Sequence, residues 1–156
     1  MKIYIIGLIV ILSGCAANSV KAPLNFEGYA NNLSYTQQKS KMINSEIGVK
    51  FMNEEPLEAT YKGCIKSSYA GFSVNLGGVP VSDPFKLHSM SVDHTTYTFM
   101  KDMGYGATSS DPVKALRNSV MQSPEFELIR EKLEKQSTAV NNCLKAKGWE
   151  FDLLVK

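Results

Sequence analysis

The chain has 156 residues, of which 44% are hydrophobic and 21% charged, and its formal net charge is +2 at pH 7. This composition is typical of a folded globular protein and excludes disorder of the whole chain. A near-neutral protein has no long-range field that would draw it to nucleic acid, so we expect no nucleic-acid partner. The length suits a single domain with a sizeable core.

The first element is a short apolar segment. Lys2 precedes an apolar run at residues 3–12, which has about the length expected of the core of a secretion signal. At ~1.5 Å per helical residue, this run is too short to cross a hydrocarbon layer of ~30 Å. The run leads into the tetrad Leu12-Ser13-Gly14-Cys15.

This tetrad resembles the lipobox of bacterial lipoproteins, and the resemblance is confined to residues 1–15. It implies that the signal peptide 1–14 is removed, that diacylglycerol is attached to the sulfur of Cys15, and that a further acyl chain such as palmitate modifies the new amino terminus. Several acyl chains together hold a protein stably at a membrane. The alternative is an ordinary cleaved signal or an uncleaved anchor, in which Cys15 is incidental.

The residues after the cysteine indicate a location. In the lipoprotein family, residues such as Ala16 and Ala17 at these positions are typical of sorting to the outer membrane. The resemblance therefore implies a lipid-anchored protein of the cell outer membrane that faces the periplasm.

Residues 15–40 are expected to form the lipidated amino terminus and a flexible tether, followed by a single domain at 41–156. The tether is rich in small and polar residues and is interrupted by Pro23 and Gly28. A flexible chain of this length spans about 25 to 30 Å. The alternative is that its scattered aromatic residues dock on the domain or on a partner.

The first part of the domain gives mixed signals. Residues 41–52 follow neither the helical nor the strand period, and residues 49–51 suit a short strand as well as a helix. A helix is then predicted at residues 57–66. Its apolar face is expected to contain Leu57, Tyr61, Cys64 and Ile65.

The middle of the chain predicts a β-hairpin or an extended loop, and residues 85–91 after it are ambiguous. Residues 72–76 alternate between apolar and polar, and Gly77-Gly78 marks a turn before a segment that Pro80 confines to a sheet edge. Asp83-Pro84 is a helix start or a turn, and a helix that follows is expected to end at Gly104.

Two helices are predicted at the carboxyl-terminal end. Asp111-Pro112 and Ser123-Pro124 are typical helix starts, because a side-chain oxygen caps the first turn and proline fits its first position. The second helix runs from about Pro124 to Lys147, and Gly148 is expected to end it. Its apolar stripe comprises Phe126, Ile129, Leu133, Val140 and Leu144. The predicted fold class is therefore mainly α, a small helical domain with a possible short β-hairpin, and α+β is the alternative.

Two cysteines remain once Cys15 is lipidated. Outside the reducing cytosol we expect Cys64 and Cys143 to form one disulfide that closes the domain. Closing a loop of this length stabilises a fold by about 4.5 kcal/mol on the chain-entropy model. The alternative is a pair of buried thiols that never meet.

Reactive residues are few. His88 and His94 lie six residues apart, so on a helix they point to different faces and cannot share one metal ion. Asp93 beside His94 is best explained as a solvated helix-entry residue. We therefore predict no catalytic residues, no metal and no cofactor, and we expect the aromatic side chains to be core residues more often than ligand contacts.

These observations favour a non-enzymatic cell-envelope lipoprotein that contacts other envelope proteins. It would be an accessory subunit of a secretion, pilus or conjugation apparatus, or an exclusion factor. One alternative is a periplasmic enzyme that acts on cell-wall or other envelope substrates through His94, Asp93 and His88. Another is a carrier with an apolar cavity for a small ligand. The oligomeric state stays open.

Overall fold

The computed structural model describes residues 24–35, 40–105 and 109–151. It confirms the predicted class, a mainly helical domain with short antiparallel strands and one disulfide. The elements in chain order are α1 (Phe26–Asn32), β1 (Lys41–Asn44), β2 (Gly48–Phe51), α2 (Leu57–Ser68), β3 (Val74–Leu76), β4 (Val79–Val81), α3 (Pro84–Asp102), α4 (Pro112–Met121), α5 (Pro124–Ala146) and β5 (Trp149–Phe151).

Helices α2, α3 and α5 pack on one another and form the body of the domain. Apolar side chains three and four residues apart share one face of a helix, so a periodic stripe can be buried as a unit. Each large apolar side chain that leaves water in this way contributes roughly 1.5–3 kcal/mol. The predicted faces are confirmed: α2 buries Leu57, Tyr61, Cys64 and Ile65, and α5 buries Phe126, Ile129, Leu133, Val140 and Leu144.

Side-chain caps determine where the last three helices begin. The carboxylate of Asp83 accepts hydrogen bonds from two backbone N–H groups at the start of α3, and Asp111 does the same for α4. The hydroxyl of Ser123 accepts one from Phe126 N at the start of α5. Each cap is followed by proline, whose missing N–H costs nothing in the first turn. The ambiguous segment after Asp83 is thus the first part of a single long helix.

The predicted disulfide is confirmed. Cys64 of α2 and Cys143 of α5 are bonded at 2.04 Å, with Cα atoms 5.7 Å apart and a sequence separation of 79. The bond joins two helices that already pack on each other. It therefore fastens the core of the domain rather than a peripheral loop.

A three-stranded antiparallel sheet has the order β2-β1-β5. Ile43 lies opposite Val49 in the register, and Lys41 lies opposite Phe51. Met42 and Asn44 point inwards and are buried. Strand β5 was not predicted, because it pairs with a segment more than one hundred residues away in sequence.

The second sheet is the predicted hairpin of β3 and β4. Gly77 and Gly78 form its turn with positive φ angles of 58° and 92°, which favour glycine. Pro80 is exposed, as expected for a two-stranded sheet in which both strands are edges.

The predicted tether requires a correction at residues 24–35. These residues pack on the domain, and α1 buries Tyr29 and Ala30 in the core. The ring of Phe26 covers Gly77 so closely that no Cβ would fit there. The alternative considered for the aromatic residues of this segment, docking on the domain, therefore holds for α1, because its apolar face finds partners on α4 and β4.

The predicted helix ends are confirmed, although the aromatic residues after them behave differently. Gly104 and Gly148 have φ angles of 78° and 81°, the left-handed conformation of a helix end. Trp149 is buried and begins β5, whereas Tyr105 is exposed.

Candidate functional site

An open groove lies between the carboxyl-terminal half of α3 and the first half of α5. Its volume is about 1070 Å³, which exceeds what a single side chain could fill. Helix α3 contributes His94, Tyr97, Thr98, Lys101 and Asp102, and α5 contributes Pro124, Glu127, Arg130 and Glu134.

Arg130 is hydrogen-bonded to the two glutamates on the α5 side of this groove. Its guanidinium donates hydrogen bonds of 2.9–3.1 Å to both oxygens of Glu127 and one of 3.0 Å to Glu134. The hydrogen bonds from Arg130 lower the pKa of Glu127. Because all three side chains lie on an exposed helix surface, water and salt screen the network. The network therefore holds these side chains in place on the groove surface and contributes little to the stability of the fold.

His94 faces the groove from α3. Its ring stacks on Phe126 with 5.4 Å between centroids, and its Nδ1 lies 3.6 Å from the carboxylate of Glu134. Burial lowers the pKa of His94, and the neighbouring Glu134 carboxylate counteracts part of that effect. The imidazole is therefore mainly neutral at pH 7 and can donate or accept one hydrogen bond.

Asp93 points to a different side of α3, towards α1 and α4. Its carboxylate accepts a hydrogen bond of 3.1 Å from the Tyr29 hydroxyl and lies 3.1 Å from Nε of Arg117. Burial raises the pKa of Asp93, while Arg117 and the hydrogen bond from Tyr29 oppose the rise. The expectation of a solvated helix-entry residue is thus wrong, because Asp93 lies mid-helix and joins three helices.

His88 lies one turn earlier on α3 and is buried in the core. Its Nε2 shares a hydrogen bond of 2.5 Å with the Tyr61 hydroxyl, and its ring packs edge-on against Tyr61 and Tyr69. Burial lowers the pKa of His88 to about 4. Its Nδ1 has no hydrogen-bond partner among the described residues.

The structure does not bring the three reactive candidates together. His94 lines the groove, Asp93 joins α1 to α3 and α4, and His88 is enclosed by tyrosines. In the described ranges, no three His, Cys, Asp or Glu side chains are arranged to hold a metal ion.

A second surface feature lies on the three-stranded sheet, on the face turned away from the core. We call Lys41, Ile43, Val49 and Phe51 the outer sheet face. Its three apolar side chains are 41–49% exposed, and Nζ of Lys41 lies 4.9 Å from the centre of the Phe51 ring. Side chains opposite each other in an antiparallel register lie about 5 Å apart, so these residues form one continuous patch.

The aromatic residues follow the expectation in part. Tyr61, Tyr69 and Trp149 are buried core residues. Tyr97 packs against the core and also lines the groove. Phe99, Tyr105 and Phe151 are exposed, so the expectation of a core position is wrong for these three. The sequence also missed the outer sheet face, for which the only local signal was a turn between two four-residue runs, 41–44 and 48–51.

The segment that carries the predicted lipid site, with the apolar run and Cys15, lies outside the described residues. Within residues 24–35, 40–105 and 109–151, none of the helices has the length and apolar character needed to cross a bilayer. The chain matches no protein-family model, no curated protein and no solved structure.

Proposed function

We propose that this protein is a lipid-anchored, non-enzymatic interaction subunit of the bacterial cell envelope, held in the outer membrane through Cys15 and facing the periplasm. The anchor rests on the lipobox-like tetrad at residues 12–15. The disulfide between Cys64 and Cys143 agrees with folding outside the reducing cytosol.

The outer sheet face carries the interaction part of the proposal. Exposed apolar side chains that stand singly are ordinary, whereas a continuous apolar patch on a closed domain is typical of a binding surface. Ile43, Val49 and Phe51 form such a patch although the core beneath them is complete. The natural partner is another envelope protein with a complementary apolar surface.

The partner would bind to the face of this sheet rather than extend its edge. At the end of β2, the N–H of Phe51 donates to Oε2 of Glu54 at 2.9 Å, and its carbonyl accepts from Glu54 N at 2.9 Å. Because the backbone groups of Phe51 are already occupied, this end of β2 is a poor template for another strand. Side-chain contacts are therefore expected to dominate.

The proposed role is that of an accessory subunit in a secretion, pilus or conjugation assembly, or that of an exclusion factor. Both roles require a folded domain that is anchored to one membrane and has a surface that binds a specific protein.

Site-specific crosslinking in intact cells tests this proposal. A photoreactive amino acid at Val49 of the full-length chain should give one discrete crosslinked species. The same amino acid at Lys132, an exposed position on α5, should not. Ile43→Glu introduces a charge beside the photoreactive residue at position 49 and should abolish its crosslink. Equal crosslinking from both positions, or a Val49 crosslink that survives Ile43→Glu, would overturn the proposal.

An enzyme is the second candidate, because His94 and Glu134 face an open groove of suitable size. Their separation of 3.6 Å is longer than a hydrogen bond, and Arg130 already engages Glu134. Asp93 and His88 are turned to other neighbours. If the wild type hydrolyses envelope substrates and His94→Ala abolishes this activity, the enzyme would become the favoured function.

A further inference from the structure

The carboxyl-terminal end of α3 carries an unusual concentration of exposed apolar side chains. Phe99, Met103 and Tyr105 are 60–61% exposed, and Met100 is 42% exposed. We call these four residues the apolar tip. They fall within seven consecutive residues, and Gly104 is in the left-handed conformation just before Tyr105.

The apolar tip and the outer sheet face lie at opposite ends of α5. The groove that Tyr105 lines includes Pro124, the first residue of α5, whereas the sheet contains β5, which begins three positions after the last residue of α5. Twenty-three helical residues span about 34 Å. The domain therefore presents one apolar surface at each end of its longest helix.

We infer that the apolar tip inserts into the interface of the bilayer that holds the Cys15 anchor, and that it orients the domain with the outer sheet face away from that bilayer. This inference rests on the proposed lipid anchor.

The length of chain between the anchor and the first helix makes this contact reachable. Ten residues, 16–25, separate Cys15 from Phe26. They extend to at most about 33 to 36 Å and average about 16 to 19 Å when flexible. The anchor therefore keeps the region around α1 within reach of the lipid headgroups.

The tip lies close to α1 along the axis of α3. Tyr29 of α1 is bonded to Asp93, and Phe99 and Met103 follow Asp93 by six and ten residues. At ~1.5 Å of rise per residue, they lie about 9 and 15 Å further along the helix. These rises along the helix are shorter than the maximum extension of residues 16–25, so the length of the tether allows the tip to reach the bilayer.

The chemistry of the tip suits a bilayer interface. Phenylalanine and methionine side chains enter the acyl boundary, and tyrosine places its ring there with its hydroxyl among the headgroups. The two charged residues that lie between the tip residues in sequence, Lys101 and Asp102, have opposite signs. Because their charges cancel, apolar burial rather than attraction to anionic lipid should dominate the contact, and salt should change it little.

Fluorescence quenching by brominated lipids tests this inference. The full-length lipidated protein is reconstituted into vesicles of phosphatidylethanolamine and phosphatidylglycerol. Tryptophan is introduced at the tip by Phe99→Trp or Tyr105→Trp, and at the opposite end by Phe51→Trp as the matched control. The native Trp149 is buried and gives a constant background. We expect brominated lipid to quench the tryptophan fluorescence of both tip variants, and the emission maximum of both to shift to the blue. The fluorescence of Phe51→Trp should be as insensitive to brominated lipid as that of the parent protein.

The possible outcomes separate the inference from the proposed anchor. Protein that fails to float with the vesicles would overturn the anchor and the tip contact together. Protein that floats while both tip variants remain unquenched would overturn the tip contact alone, and would leave another protein or a second copy of this chain as the occupant. Quenching of Phe51→Trp instead of the tip variants would show that the sheet faces the membrane and would also overturn the inference.

Discussion

Tyr61 of α2 and His88 of α3 share a hydrogen bond of 2.5 Å between the hydroxyl and Nε2, buried where the two helices meet. Tyr69, whose ring packs edge-on against His88, makes a separate buried hydrogen bond of 2.9 Å to Ser91, whose hydroxyl also lies 3.2 Å from the carbonyl oxygen of Leu133 on α5. A buried polar network of this kind stabilises a fold only while its members keep their partners and stay uncharged.

We expect the domain to lose stability below pH 6.5 because of His88. Its pKa falls from the ordinary 6.5 to about 4 in the folded state. Between these values the unfolded chain binds more protons, so the contribution of His88 is complete above pH 6.5 and is lost as the pH falls towards 4. A shift of this size corresponds to about 3 kcal/mol. Urea unfolding at a series of pH values would measure the loss.

Two variants isolate the effect of His88. His88→Phe cannot titrate, so the free energy of unfolding should fall less steeply between pH 6.5 and 4, although Tyr61 loses its partner. His94→Gln is the matched control, because His94 is less buried and its removal should flatten the profile less. Asp93 acts in the opposite direction, since its raised pKa favours the folded state as the pH falls. Equal profiles for His88→Phe and the wild type would contradict the assignment.

Arg117→Ala should destabilise the attachment of α1. Arg117 lies 3.1 Å from the Asp93 carboxylate, and its loss leaves that carboxylate with only the hydrogen bond from Tyr29 among the described residues. Because Arg117 is partly exposed, solvent screening reduces the expected cost to about 1 kcal/mol. The pKa of Asp93 should rise further, which carboxyl titration by NMR would detect.

Arg130→Ala is the control for this prediction. Arg130 makes more hydrogen bonds than Arg117 but makes them on the surface, so its loss should leave stability unchanged. Greater destabilisation by Arg130→Ala than by Arg117→Ala would mean that the groove wall, not the junction with α1, stabilises the domain.

Removing the disulfide should cost about 2 to 5 kcal/mol, the usual range for a small exported domain. Cys64→Ala with Cys143→Ala leaves no unpaired thiol and keeps the helices free to pack. Urea unfolding of this double variant beside the wild type measures the loss. Once its disulfide is reduced, the wild type should unfold at the same urea concentration as the double variant. Free thiol labelling of both cysteines in the native wild type would contradict the bond.

The helices could be predicted from the sequence because their signals are local. Caps such as Asp111 and Ser123 bond to backbone N–H groups two or three residues away, and the stripe of α5 repeats within each turn. The disulfide could be predicted because only two cysteines remained to pair.

The sheet and α1 could not be predicted, because they depend on distant partners. Glu150 of β5 lies opposite Ile43, and Tyr29 bonds to Asp93, 64 residues away. The groove is equally non-local, since it exists only where the end of α3 meets the start of α5. The periodic spacing of apolar residues therefore identified which helix faces are buried. It gave no information on which distant segments of the chain lie side by side at the surface.

Cys15→Ala should release the protein from the membrane fraction, because it removes the sulfur that would carry diacylglycerol. The apolar tip alone is too small to replace several acyl chains, each of which contributes about 0.8 kcal/mol per buried CH₂ group. Fractionation of cells that express the full-length variant would detect the release, and mass spectrometry of the native protein should find an acylated amino terminus at Cys15. The double variant Cys64→Ala with Cys143→Ala is the control, since it alters cysteines but keeps the anchor and should stay with the membrane. Retention of Cys15→Ala at the wild-type level, or an intact unacylated amino terminus, would contradict the lipid anchor on which the proposed orientation depends.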